Sequence, residues 1–113
     1  MENEHKNGYD CLTLGYITTG IKKIVICTYS YGDKKLKDES KIKVSNKYKN
    51  FSFEDFFTIS IKDLKTDGKI KITDKELSKV IEWINLNKKA LIYYWKEGNE
   101  IPSSKFMKKL KKI

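Results

Sequence analysis

The chain has 113 residues, enough for one domain, and its 30 Leu, Ile, Val and Phe residues match a chain with a hydrophobic core rather than a disordered one. Its net charge of +9 rests on lysine alone, since none of the 24 basic residues is Arg. No apolar run approaches the ~18 residues of a membrane span, and the start, Met1-Glu2-Asn3-Glu4-His5, is too polar for a signal peptide, so the expectation is a single cytoplasmic domain over 1–113 with a flexible segment at 1–9.

Residues 11–18 and 22–31 are rich in Ile, Val, Thr and Tyr and flank Thr19-Gly20, which predicts a strand pair joined by a hairpin. The second of these carries Ile24 and Ile26 on one face and Val25, Cys27 and Tyr29 on the other, the pattern of a strand buried on both sides. A three-residue loop here would set Cys11 opposite Cys27; a reducing compartment favours two buried thiols. Residues 34–40 read as a polar loop. Lys41-Ile42-Lys43-Val44-Ser45 alternates with Ile42 and Val44 inward, and residues 56–61 put Phe57, Ile59 and Ile61 on one face and Thr58 and Ser60 on the other. Thr66-Asp67-Gly68 is a turn signal, and residues 68–72 fit either a short edge strand or an extended approach to a helix.

Thr73-Asp74-Lys75-Glu76 is a capping box, with Thr73 as N-cap and Glu76 three residues on. The helix it starts has an apolar stripe of Leu77, Val80, Ile81, Ile84, Leu91 and Tyr94, and Gly98 is a plausible stop. Asn87 can cap a second segment, so 73–97 is one helix or two. Beyond Pro102, Ser103 or Ser104 caps a short last helix with Phe106, Met107, Leu110 and Ile113 inward.

Catalytic groups are scarce. The single His, His5, lies in the polar start, and two cysteines with one His do not reach the three or four ligands of a metal site, so neither metal nor cofactor is expected. Asp38-Glu39 and Glu54-Asp55 are neighbours whose side chains diverge on an extended chain, which suits solvated charge better than acid–base work. A metal-independent ribonuclease using Lys, Tyr and Glu is the enzymatic alternative.

The aromatic residues carry more. Trp83, Tyr93, Tyr94 and Trp95 cannot all occupy one narrow stripe. Either the tryptophans cover the sheet, or Trp83, Asn87, Tyr93 and Trp95, rimmed by Glu82, Lys88, Lys89 and Lys96, form a protein-docking face of the composition found at interface hot spots. A basic band of Lys34, Lys35, Lys37, Lys41, Lys43, Lys47 and Lys49, interleaved with Tyr29, Tyr31 and Tyr48, fits either an edge strand protected by lysine or a single-stranded nucleic-acid surface. The lack of Arg, which reads phosphate and guanine bidentately, weakens the second of these and fits an AT-rich genome.

The runs Phe57-Thr58-Ile59-Ser60-Ile61 and Gly68-Lys69-Ile70, followed by Glu76-Leu77, Val80-Ile81-Glu82-Trp83-Ile84, Leu86-Asn87-Lys88, Leu91 and Tyr94-Trp95, resemble a family of small bacterial proteins of unknown function. Its members carry a similar E-W-I-x-L-N helix, a second Trp further along it and a short basic tail like residues 108–113. The likeness spans residues 41–113; the family's Pro-Pro-His-rich motif has no counterpart here, since residues 30–44 hold neither Pro nor His. Members are often encoded beside a second small protein, in pairs that look like toxin–antitoxin or mobile-element genes, so the resemblance implies a protein partner.

These readings converge on an α+β domain, an antiparallel sheet of about four strands packed against the 73–97 helical region and a short C-terminal helix. The function expected is that of a non-enzymatic protein-binding module: an antitoxin-like, regulatory or inhibitory protein of a mobile element or phage. An inhibitor of a host defence nuclease is one form of it. The partner is then a protein encoded nearby or a host target, and nucleic-acid binding is the alternative.

Overall fold

The structure, a computed structural model, describes residues 10–30, 40–47, 52–97 and 102–113. Five strands form one antiparallel sheet in chain order: β1 (Asp10–Leu14), β2 (Val25–Ser30), β3 (Lys41–Ser45), β4 (Phe57–Ser60) and β5 (Thr66–Asp67). The period-2 alternation read from β3 and β4 is what the sheet uses. Leu14, Ile26, Val44 and Phe57 stand opposite one another in successive strands, as do Leu12, Thr28, Ile42 and Ile59. These two rows make the inner face, and apart from the half-buried Leu12 every member is buried. Each fully buried Leu, Ile or Phe side chain stabilises by about 1.5–3 kcal/mol relative to exposure.

One long helix covers that face. Helix α2 (Asp74–Glu97) begins where the capping box predicts: the Glu76 N–H donates to Thr73 Oγ1 at 3.1 Å and the Thr73 N–H to Glu76 Oε1 at 2.9 Å. Its stripe of Val80, Ile84, Leu91 and Tyr94 enters the same core as the sheet, with Leu77 half-buried against it, whereas Ile81, expected on the stripe, is half-buried outside that cluster. At Asn87 the backbone leaves the helical region (φ −112°, ψ 15°), so 73–97 is one helical run with a kink. A short helix α3 (Ser103–Lys109) follows, and its Phe106 stacks on Tyr94 with ring centroids 4.1 Å apart. Gly98 lies outside the described residues.

Four expectations are corrected. The link between β1 and β2 is no tight hairpin: residues 15–24 include a helical turn, α1 (Tyr16–Thr19), closed by Gly20 at φ +79°. The longer link shifts the register, so Cys11 lies opposite Tyr29 and Cys27, a buried thiol, opposite Thr13. Thr66-Asp67 is not the turn but a fifth, two-residue strand on β4; the turn is residues 61–65, where the Leu64 N–H donates to the Ser60 carbonyl at 2.9 Å. In α3 the N-cap is Pro102 rather than a serine, and Met107 and Ile113 are partly exposed while Phe106 is fully buried. Residues 68–72 form no strand but lead irregularly into α2, with bends at Gly68 and Ile72, and the Lys71 carbonyl accepts from Asn46 Nδ2 at 3.1 Å.

Candidate functional site

Burial dismantles the docking face expected from Trp83, Asn87, Tyr93 and Trp95. Trp83 is fully buried, Asn87 and Trp95 are buried, and only Tyr93 is exposed, at 41%. The helical repeat explains the outcome. Trp95 follows Ile84 by eleven residues, close to three full turns, so it returns to the inward side. Asn87 lies between Ile84 and Leu91 at i+3 and i−4, on the stripe itself.

Asn87 is a polar residue in the core because its amide is used as a peptide group would be. Where α2 kinks, the Trp83 carbonyl accepts from Asn87 Nδ2 at 3.0 Å. The same nitrogen donates to the Lys111 carbonyl at 2.8 Å, and Asn87 Oδ1 accepts the Lys111 N–H at 2.7 Å. The segment after α3 is thereby fastened to the helix, and it continues to α1, where the Ile113 N–H donates to the Thr19 carbonyl at 3.1 Å. Asn87 is thus a structural residue. Among the described residues the Trp83 indole N–H has no acceptor within reach.

The opposite face of α2 carries a different set. Leu86 and Tyr93, 46% and 41% exposed and two turns apart, flank Ala90, which is half-buried against the core. The three line a groove of about 720 Å³ between α2 and residues 109–111, bordered by Lys89, Lys109 and Lys111. Lys109 Nζ lies 4.9 Å from the Tyr93 ring centroid, a cation–π distance. Lys88 is drawn to the turn after β4, donating to the Lys62 carbonyl at 3.1 Å.

The basic band divides. Lys41 and Lys43 project from β3, which is the middle strand of five, so edge protection is not their role. Lys41 is exposed; Lys43 is half-buried and donates to Thr58 Oγ1 at 3.3 Å across the outer face. Lys47 pairs with Asp55 at 3.6 Å. Tyr29 belongs to β2, and Lys34, Lys35, Lys37, Lys49, Tyr31 and Tyr48 lie outside the described residues, as do His5, Asp38 and Glu39.

Two carboxylates serve local turns. Asp55 accepts the Ser52 N–H at 2.7 Å, which more than any other contact holds its carboxyl below the usual carboxylate range; nearby Lys47 and Lys71 add to this, while partial desolvation opposes it. Asp63 is lowered foremost by the Ser60 hydroxyl and then by the Lys65 N–H, 3.2 Å away. Among the described residues no three His, Cys, Asp or Glu side chains converge to hold a metal ion, and no helix is long and apolar enough to cross a membrane.

Comparison with protein-family models, curated proteins and solved structures finds no match to this chain.

Proposed function

We propose that this protein is a non-enzymatic protein-binding module, antitoxin-like, regulatory or inhibitory, that docks its partner along the outer face of α2. The observation that carries the reading is the Leu86–Ala90–Tyr93 row. Leu86 and Tyr93 stand exposed along one groove with the half-buried Ala90 between them, and a small apolar surface of this kind can hold the apolar side of a partner. Lys89, Lys109 and Lys111 along the groove give the partner its chemistry: an acidic segment with apolar residues at helical spacing, laid into the groove as an amphipathic helix. Tyr93, steadied by Lys109, supplies the aromatic anchor.

The resemblance of the α2 sequence to small proteins encoded in pairs makes the product of the adjacent gene the first partner to test, with a host defence nuclease as the inhibitory variant. Titration calorimetry with that product is expected to show binding that Leu86→Asp and Tyr93→Ala each weaken by at least about tenfold, with circular dichroism and melting temperature unchanged. Unaltered affinity in both variants moves the docking face elsewhere. Growth arrest on expression of this chain alone, with RNA cleavage by the purified protein, replaces the reading with the ribonuclease one.

A further inference from the structure

A second groove, of about 430 Å³, lies where the β1–β2 link meets the start of α2. Its chemistry differs from that of the first. Lys22 and Lys23 reach it from the link, and Lys75 and Lys79, one turn apart on α2, reach it from the helix. Among the described residues none of the four has an ion-pair partner. The one acid in the lining, Glu76, is turned back onto the Thr73 N–H at 2.9 Å by the capping box. Tyr16, 52% exposed, is the aromatic ring at this groove, in place of an aliphatic stripe.

Cationic donors with one exposed aromatic ring, and no row of apolar pockets, suit a phosphodiester chain carrying unpaired bases better than a peptide. We infer that this groove binds single-stranded nucleic acid, the four lysines on successive phosphates and the Tyr16 ring under a base. Thr73 Oγ1 and Glu76 Oε1 each already accept the other's backbone N–H, and the remaining polar lining is the four lysines and Tyr16, so no group in the groove is placed solely for the ribose 2′-hydroxyl. The site therefore reads backbone and base face, and DNA and RNA single strands bind alike. The surface is separate from the α2 groove, so the inference stands or falls independently of the proposed protein docking.

Fluorescence anisotropy with a labelled oligothymidylate, an oligouridylate of equal length and a duplex tests it on the full chain. The wild type is expected to bind both single strands within about threefold of each other and the duplex more weakly. Lys75→Glu with Lys79→Glu is expected to cost at least about tenfold and to flatten the log–log salt slope by about 1.4, two single-strand phosphate contacts. Position 75 lies in the first turn of α2, where an acid suits the helix dipole, position 79 is exposed beyond it, and circular dichroism checks that the variant keeps its fold. The charge-matched control, Lys65→Glu with Lys108→Glu, is expected to keep affinity and slope close to the wild type's. Tyr16→Ala is expected to lose about fivefold or more while Tyr16→Phe and Ile17→Ser bind as the wild type, because stacking uses the ring and Ile17, although 83% exposed, does not line the groove. Equal losses in the control, equal binding of the duplex, a preference above about tenfold for one sugar, or equal displacement by polyglutamate overturns the inference.

Discussion

Replacing Asn87 with Ala removes three hydrogen bonds at once: from Nδ2 to the Trp83 and Lys111 carbonyls, and from the Lys111 N–H to Oδ1. The first is buried; the Lys111 pair is partly open to solvent, so water recovers part of its loss. At about 1 kcal/mol net for each bond, less about half a kcal/mol for the better helix propensity of Ala, the cost is about 2–3 kcal/mol. In a domain of this length that is a fall in Tm of roughly 10 °C. Asn87→Asp is expected to be worse near neutral pH. The carboxylate still accepts the Lys111 N–H but turns negative charge onto two carbonyl oxygens, and burial raises its pKa. Its protonation on acidification restores one donor, so the deficit of the Asp variant relative to the Ala variant shrinks as pH falls. Urea unfolding followed by circular dichroism measures all three proteins. A further cycle combines Asn87→Ala with deletion of residues 111–113. Two of the three bonds are shared, so the double variant is expected to be about 1–2 kcal/mol more stable than additivity allows. An Ala variant within half a kcal/mol of the wild type, or strictly additive losses, refutes the idea that Asn87 fastens the tail.

Gly20→Ala is expected to destabilise by roughly 2 kcal/mol or more in the same assay, since φ is +79° there and a Cβ would collide with the Ile113 carbonyl oxygen. Trp83→Phe exchanges an indole whose N–H has no acceptor among the described residues for a smaller ring, so it is expected to change stability by less than about 1.5 kcal/mol, against about 3–5 kcal/mol for Trp83→Ala. With Trp83 and Trp95 both buried, emission is expected to be blue-shifted and resistant to acrylamide; free quenching of both indoles contradicts their burial. The lowered carboxyls of Asp55 and Asp63 contribute stability that is fully present above the ordinary value of 3.8 and is lost as pH falls below it. Urea midpoints between pH 5 and pH 3 check this, and Asp55→Asn with Asp63→Asn is expected to flatten the decline.

Where local rules and tertiary packing agreed, the fold was legible. The alternation in Ile42–Val44 and Phe57–Ile59–Ile61 and the Thr73–Glu76 cap each correspond to an observed element. The α1 turn was not legible, because Tyr16, Ile17, Thr18 and Thr19 are strand formers by propensity, and the contact from Ile113 that holds the turn's end comes from the far end of the chain. β5 was hidden for the opposite reason: Thr-Asp-Gly has turn composition, yet two residues of ladder suffice against β4. At the site, the helical repeat already turned Trp95 and Asn87 inward, but hot-spot composition and polarity argued for the surface. An Asn on the axis of an apolar stripe, near the middle of a long helix, was the signal for a buried amide with backbone partners. Leu86, Ala90 and Tyr93 were readable as one row from spacing alone. The meeting of Lys22 and Lys23 with Lys75 and Lys79 was not, since only the folded topology joins those segments.

Each strand of the sheet lies beside its neighbour in sequence, so the ladder closes through local links, whereas the bond from Ile113 to Thr19 spans most of the chain. Loop-closure entropy orders such contacts in time. The meander and the start of α2 are expected to form at the rate-limiting barrier, with the strap from α3 to α1 settling afterwards. Damage to the strap at Gly20 or Asn87 then leaves the refolding rate nearly unchanged and appears as faster unfolding, while Ile42→Val or Ile59→Val in the ladder slows refolding. The last segment to dock thus governs how long the native state persists rather than how quickly it is reached.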